Sequence, residues 1–184
     1  MPNALVLIDI QNDYFPGGKM ELEGSSESSL CAKHLLQAFR DAKLPVIHIQ
    51  HISVRPEATF FIPDTHGVEI HQNVQPLPGE PVIQKNYPNS FRNTSLLEHL
   101  EGQSIKHLII SGMMTHMCVD ATTRAAFDYG FECMVVSDAC ATRALSFEDK
   151  IIPAAHVHGA FLAALSNVYA KIQDTQSALQ NLFG

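Results

Sequence analysis

Hydrophobic positions along this chain fall into short unbroken runs, separated by longer stretches in which apolar residues recur every three or four positions. The first run, Ala4-Leu5-Val6-Leu7-Ile8, is continuously apolar, as a strand covered on both faces requires. Pro45-Val46-Ile47-His48-Ile49, Pro81-Val82-Ile83-Gln84, His107-Leu108-Ile109-Ile110-Ser111-Gly112 and Phe131-Glu132-Cys133-Met134-Val135-Val136 repeat the pattern, and residues 167–171 offer a shorter last strand. The intervening spacing predicts helices over residues 25–42, 94–100, 115–129, 147–165 and 175–182. In the first of these Ser25 or Ser26 can cap a stripe of Leu30, Leu35, Leu36 and Phe39. Gly130 is a natural C′ residue for the 115–129 helix. Pro153 falls near the first turns of the 147–165 helix, where proline is best tolerated. Strands alternating with helices predict an α/β fold with a parallel sheet. No repeat or linker divides residues 1–184, so one domain is expected.

Residues 53–80 break the alternation. They are rich in Pro, His and Gly and have no periodicity, which predicts a long excursion between strands. Long loops in compact domains are disproportionately lids or binding elements. Phe60-Phe61-Ile62 would anchor this one, either by capping a pocket or by packing on a neighbouring subunit.

Composition narrows the functional classes. At 184 residues with 46% hydrophobic and 17% charged positions, the chain is ordinary globular protein. A formal charge of −7 and no basic run argue against a nucleic-acid surface. No apolar stretch approaches the roughly 20 residues that span a bilayer, so no membrane partner is expected. The start, Met1-Pro2-Asn3, lacks the basic region of a signal peptide. The 4 cysteines have neither metal-site nor disulfide-scaffold spacing, and a reducing cytoplasm is the expected location.

In open parallel sheets ligands bind beyond the carboxyl ends of the strands, so the residues there are the first candidates for chemistry. The first strand ends at Asp9, the third runs into Lys85, and the fourth leads through Gly112-Met113-Met114-Thr115-His116-Met117 to Cys118 at a helix start. Each has an ordinary reading alone: a turn aspartate, a surface lysine, a small packed cysteine. Topology, however, brings an acid, an amine and a thiol to one sheet edge. A helix N-terminus and a nearby ammonium would lower the Cys118 pKa from ~8.5 toward ~3.5–7.5. Free N–H groups of the same turn could hold an oxyanion.

These residues resemble those of the isochorismatase-like cysteine hydrolases, which include nicotinamidases and carbamoyl-amide hydrolases. The resemblance rests on Leu7 to Tyr14 with Pro16-Gly17-Gly18, on Glu80 to Lys85 with Ser90-Phe91, on Gly112 to Val119 with Thr123-Arg124-Ala125-Ala126, and on Ser137-Asp138-Ala139. It implies a six-stranded parallel sheet with helices on both faces, a Rossmann-like three-layer sandwich. It further implies Asp9 as general base and acid, Lys85 as the stabilising cation and Cys118 as nucleophile. A cis peptide at Met113–Met114 and an oxyanion hole of the Met114 and Cys118 N–H groups complete the set. Tyr14 matches an aromatic that lines the pocket of relatives; Tyr87 and His116 are plausible substrate-binding neighbours. Relatives are often dimers or tetramers, so a homo-oligomer is expected.

Two departures shape the expected chemistry. Nicotinamidases carry an Asp-x-His metal pair where this chain has His51 and Ser53. Asp64-Thr65-His66 and His71 offer substitute ligand types, but ordinary loop polarity explains them more simply, and no metal or other cofactor is expected. Isochorismatases proper lack the cysteine, so Cys118 favours acyl transfer over vinyl-ether hydrolysis. The leading reading is hydrolysis of a small amide or carbamoyl C–N bond. A nicotinamidase with displaced metal ligands and a non-catalytic binder remain as alternatives.

Overall fold

A computed structural model describes residues 3–184. Six strands form one parallel sheet: β1 (Asn3–Ile8), β2 (Val46–His51), β3 (Val82–Lys85), β4 (His107–Met113), β5 (Glu132–Ala141) and β8 (Lys171–Gln173). Their spatial order is β3-β2-β1-β4-β5-β8. The chain therefore winds outward from β1 in one direction, then restarts on its other side at β4. That reversal is a topological switch point, and it lies between the ends of β1 and β4.

Strand alternation builds two cores from the same residues. Ala4, Val6 and Ile8 of β1 enter a cluster with Leu96, Leu100, Ala126, Leu162 and Leu165. These come from α2 (Leu96–Gly102), α3 (Asp120–Asp128) and α4 (Ala154–Val168). Leu5 and Leu7 point the other way, to Leu35, Leu36 and Phe39 of α1 (Ser25–Asp41) and Ala178 of α5 (Thr175–Phe183). Each such buried side chain contributes about 1.5–3 kcal/mol relative to exposure. The three-layer sandwich follows from strands with no polar face.

Several boundaries differ from the sequence expectation. The expected 147–165 helix is shorter, because Leu145–Phe147 (β6) and Lys150–Ile152 (β7) form an antiparallel hairpin. Ile151 and Ile152 suit a strand, and Pro153 forces the residue before it out of the helical region. Pro153 is itself the N-cap, with φ −56° and ψ 149°. The last strand lies at Lys171–Gln173 because α4 continues to Val168. The N-cap of α1 is Gly24, in left-handed conformation, and not Ser25 or Ser26. α2 starts at Leu96, whose N–H is 3.3 Å from the Thr94 hydroxyl. The 115–129 segment divides into a π-helical turn at Thr115–Val119 and α3.

Residues 53–80 are a strap folded against the strand ends, with two short 3-10 turns at His66–Val68 and Gln72–Val74. Asp13 pins it: one carboxylate oxygen accepts the Phe61 N–H at 2.6 Å and the other the Lys19 N–H at 3.1 Å. Gln11 also crosses to it, donating to the Val68 carbonyl at 2.7 Å. At its far end Glu80 takes Arg40 and His48 at 2.7 and 2.9 Å. His48 is buried. Burial works against ionisation of Glu80, but Arg40, the Leu77 N–H and His48 outweigh it and hold the pKa at about 2.

Gly112 occupies the switch point with φ 142°, and a Cβ there would lie 2.1 Å from the Ile8 carbonyl oxygen. Gly112→Ala is expected to lower stability by about 3 kcal/mol in urea denaturation, since neither backbone can yield. A loss under ~0.5 kcal/mol, the range of neutral surface changes, would refute the constraint. Glu80→Gln should narrow the strap's contribution in a pH-dependent way. A depressed carboxylate stabilises fully above its unfolded pKa of ~4.3 and loses that contribution as pH falls toward its folded value. The urea-midpoint gap between parent and variant should therefore be wide at neutral pH and shrink in acid; an unchanged gap would contradict the pairing.

Candidate active site

The site forms where strands β1, β3 and β4 end. After Ile8 the chain turns sharply: Asp9 adopts φ 51°, and its N–H donates to the Ile49 carbonyl at 3.0 Å. Aspartate tolerates this left-handed region better than most residues, and such conformations concentrate at functional sites. On the neighbouring side the Met113–Met114 peptide is cis. The carbonyl of Met114 then accepts the N–H groups of both Met117 and Val119, at 3.0 and 3.2 Å, which makes the π-turn that presents Cys118.

Asp9, Lys85 and Cys118 do come together, and all three are buried. Lys85 Nζ lies 2.7 Å from Asp9 Oδ2. Apart from this ammonium and the Cys118 thiol, neither Asp9 oxygen has a hydrogen-bond partner among the described residues. Buried polar atoms are rarely left this way, and the exceptions call for a reason. Here the carboxylate faces the Cys118 thiol as well as the ammonium.

The electrostatics reverse one expectation. Burial pushes the Cys118 thiol far above its ordinary value, and the Asp9 carboxylate pushes it further; Lys85 offsets only part of this. Cys118 rests as a thiol with a carboxylate beside it, not as a preformed thiolate. A helix start and one ammonium do not lower a thiol that is completely buried beside a second anion. Burial alone would lower Lys85, but Asp9 and Cys118 outweigh it, so the amine stays an ammonium. Tyr14 is held as a phenol, first by burial and then by its anionic neighbour Asp9.

His51 ends β2 beside this group and was considered in the sequence only as a departure from a metal ligand. Its Nδ1 lies 3.1 Å from Lys85 Nζ, and burial lowers its pKa to about 4. Ligating atoms of Asp9, His51 and Cys118 all lie within 4.8 Å of one another, the only such cluster of three among the described residues. The cation inside that cluster is the lysine's own ammonium. Asp64, His66 and His71 are not gathered: His66 pairs with Glu69 on the surface, while His71 stacks on Phe15 at 3.6 Å.

The proposed pocket residues fare differently. Tyr14 packs edge-on to Phe61, with ring centroids 4.6 Å apart, and Phe61 reaches the His51 ring. The strap's aromatic pair thus lies beside the site through Tyr14 and His51. Tyr87 contributes its carbonyl, which accepts from Lys85 Nζ at 3.1 Å, while Arg92 lies over its ring. His116 bonds to the Thr142 hydroxyl and faces Phe161. Arg143 was missed by the sequence reading. Its charge acts on both Tyr14 and His116. The strand-end rule would have found it had β5 been extended to its true end at Ala141. Neither the cavity along the strap nor the one beside α4 is lined by the Asp9–Lys85–Cys118 group, whose chemistry marks the site instead.

A parallel sheet flanked by helices on both faces thus carries an acid, an amine and a thiol at its switch point. Residues 3–177 match the isochorismatase domain, and the chain belongs to the isochorismatase family of hydrolases. It is 52% identical over 180 residues to the uncharacterized isochorismatase family protein YddQ of Bacillus subtilis, covering 98% of this chain and 100% of that one. A solved structure from Oleispira antarctica, assigned to the isochorismatase hydrolases, superposes with a TM-score of 0.94 at 46% identity, covering 97% of this chain and 96% of that one. Nicotinamidase 3 of Arabidopsis thaliana is 28% identical over 193 aligned positions, covering 98% and 89% of the two chains.

Because Asp9 holds the thiol proton in place, removing its charge should free the sulfur. Asp9→Asn is expected to speed iodoacetamide alkylation of Cys118 at neutral pH by about tenfold or more, one pKa unit being a factor of ten. Slower or equal alkylation, read on the Cys118 peptide by mass spectrometry, would contradict the arrangement.

Proposed function

We propose that this protein hydrolyses the C–N bond of a small amide or carbamoyl compound through a thioester on Cys118, without a metal. The observation that carries the reading is the buried Asp9 carboxylate, unsatisfied except by the Lys85 ammonium and the Cys118 thiol. A non-catalytic binder has no use for a carboxylate left open against a thiol.

The steps follow from the protonation states. Asp9 takes the Cys118 proton as the sulfur attacks the substrate carbonyl, so no free thiolate need exist beforehand. The Met114 and Cys118 N–H groups receive the oxyanion; such donors contribute roughly 2.7–4 kcal/mol each. The C–N bond breaks as Asp9 returns the proton to the departing nitrogen, giving an amine or ammonia and a thioester. Asp9 then removes a proton from water, whose oxygen attacks the thioester, and the proton passes to the leaving sulfur. The carboxylic acid departs and the thiol is restored. Lys85 stays charged throughout and neutralises whichever of Asp9 and Cys118 is anionic.

Nicotinamidase chemistry with displaced metal ligands is the weaker reading, because Asp64, His66 and His71 sit apart. The four free cysteines fit work in a reducing cytoplasm. Phe147 and Ile151, left exposed on the β6–β7 hairpin, support a homo-oligomer.

A panel of small amides and carbamoyl compounds assayed for released ammonia tests the function. The parent enzyme should turn over at least one member with no loss on chelator treatment. Cys118→Ala should lose at least ~10³-fold of that activity, in line with loss of a nucleophile. Cys118→Ala retaining full rate would overturn the mechanism.

A further inference from the structure

An ammonium has three N–H donors. In this site four acceptors compete for them. Lys85 Nζ lies 2.7 Å from Asp9 Oδ2, 3.1 Å from His51 Nδ1 and 3.1 Å from the Tyr87 carbonyl oxygen. The Cys118 sulfur is the fourth, and it already draws on the same ammonium. The Lys85 side chain is 0% exposed, so solvent cannot supply a substitute.

His51 is built to keep its share. Its backbone is clamped by one side chain: its N–H donates to Gln11 Oε1 at 2.7 Å, and its carbonyl accepts from Gln11 Nε2 at 2.9 Å. It pairs in register with Lys85 across β2 and β3. Since the ammonium can only donate, Nδ1 must be unprotonated and the ring proton must sit on Nε2. An acceptor that carries no charge orients the ammonium without competing for it as a counter-ion.

We propose, building on the hydrolase reading above, that His51 is a positioning residue: by accepting one Lys85 N–H it limits the share of the ammonium that Cys118 can draw on, and so adds to burial and Asp9 in keeping the resting nucleophile a thiol. When Asp9 takes the thiol proton in the reaction, sulfur becomes the stronger acceptor and Lys85 can transfer that N–H from the neutral imidazole to it. No covalent bond to His51 forms and its own protons do not move. The charged and titratable groups around this exchange are Asp9, Lys85 and Arg55, which act on His51, and Tyr14, which senses Cys118. Burial keeps His51 neutral through the physiological range.

The test needs no substrate, so it remains informative even if the amide reading fails. The full-length protein is alkylated with iodoacetamide between pH 6 and 11, and the rate at Cys118 is followed by peptide mass spectrometry. His51→Leu removes the acceptor, and His51→Asn offers Oδ1 near the place of Nδ1. The parent profile should still be climbing at pH 10, while that of His51→Leu should lie at least one pH unit lower, or about tenfold faster at pH 7. His51→Asn should track the parent. A site merely loosened by the substitution would alkylate faster at every pH without moving the midpoint, and Leu and Asn would behave alike. Either of those outcomes, or an unshifted His51→Leu profile, overturns the proposal. If His51→Leu fails to fold by circular dichroism, His51→Ala takes its place under the same criteria.

Discussion

The site is organised by one buried ion pair. Asp9 and Lys85 are removed from water together, 2.7 Å apart, and removing one partner of such a pair would leave an uncompensated group in the interior. Replacing such a pair by well-packed apolar residues often leaves stability unchanged or raises it, so its presence points to chemistry more than to folding. The pair can exist only where β1 and β3 end at one edge of the sheet, and Cys118 reaches it only because β4 begins on the other side of β1. Gly112, pressed against the Ile8 carbonyl, lets the two strands run close enough for that meeting.

The ion pair also explains why the thiol is not preionised. A lone lysine beside a cysteine lowers the thiol pKa, whereas a lysine already neutralised by a carboxylate has little left to give. Burial then dominates, and Cys118 is held protonated. A base in contact with a buried thiol suits a nucleophile generated during the attack itself. It also leaves the cysteine less exposed to stray electrophiles between turnovers.

Much of this was legible in the sequence because strand ends are legible. Continuous apolar runs marked β1 and β4, and what followed them was Asp9 and the turn to Cys118. Residues whose meaning depends on who shares a proton were not legible: His51 looked like a missing metal ligand until its Nδ1 was seen beside Lys85. Arg143 was hidden by reading β5 as ending at Val136, when the strand runs on past a register shift against β4 between Ile110 and Gly112. The β6–β7 hairpin was taken for helix because periodicity over a few residues cannot outweigh a proline. The strap was correctly read as an excursion with aromatic anchors, yet nothing in its composition announced that Asp13 and Gln11 would hold it.

The central claim is that an acyl group passes through Cys118. Adding hydroxylamine to the enzyme during turnover of an amide substrate tests it most directly, because a thioester partitions between water and this stronger nucleophile. The reaction should yield the hydroxamate alongside the acid, with ammonia release unslowed. Hydrolysis that continues at full rate while producing no hydroxamate at any hydroxylamine concentration would contradict a covalent intermediate.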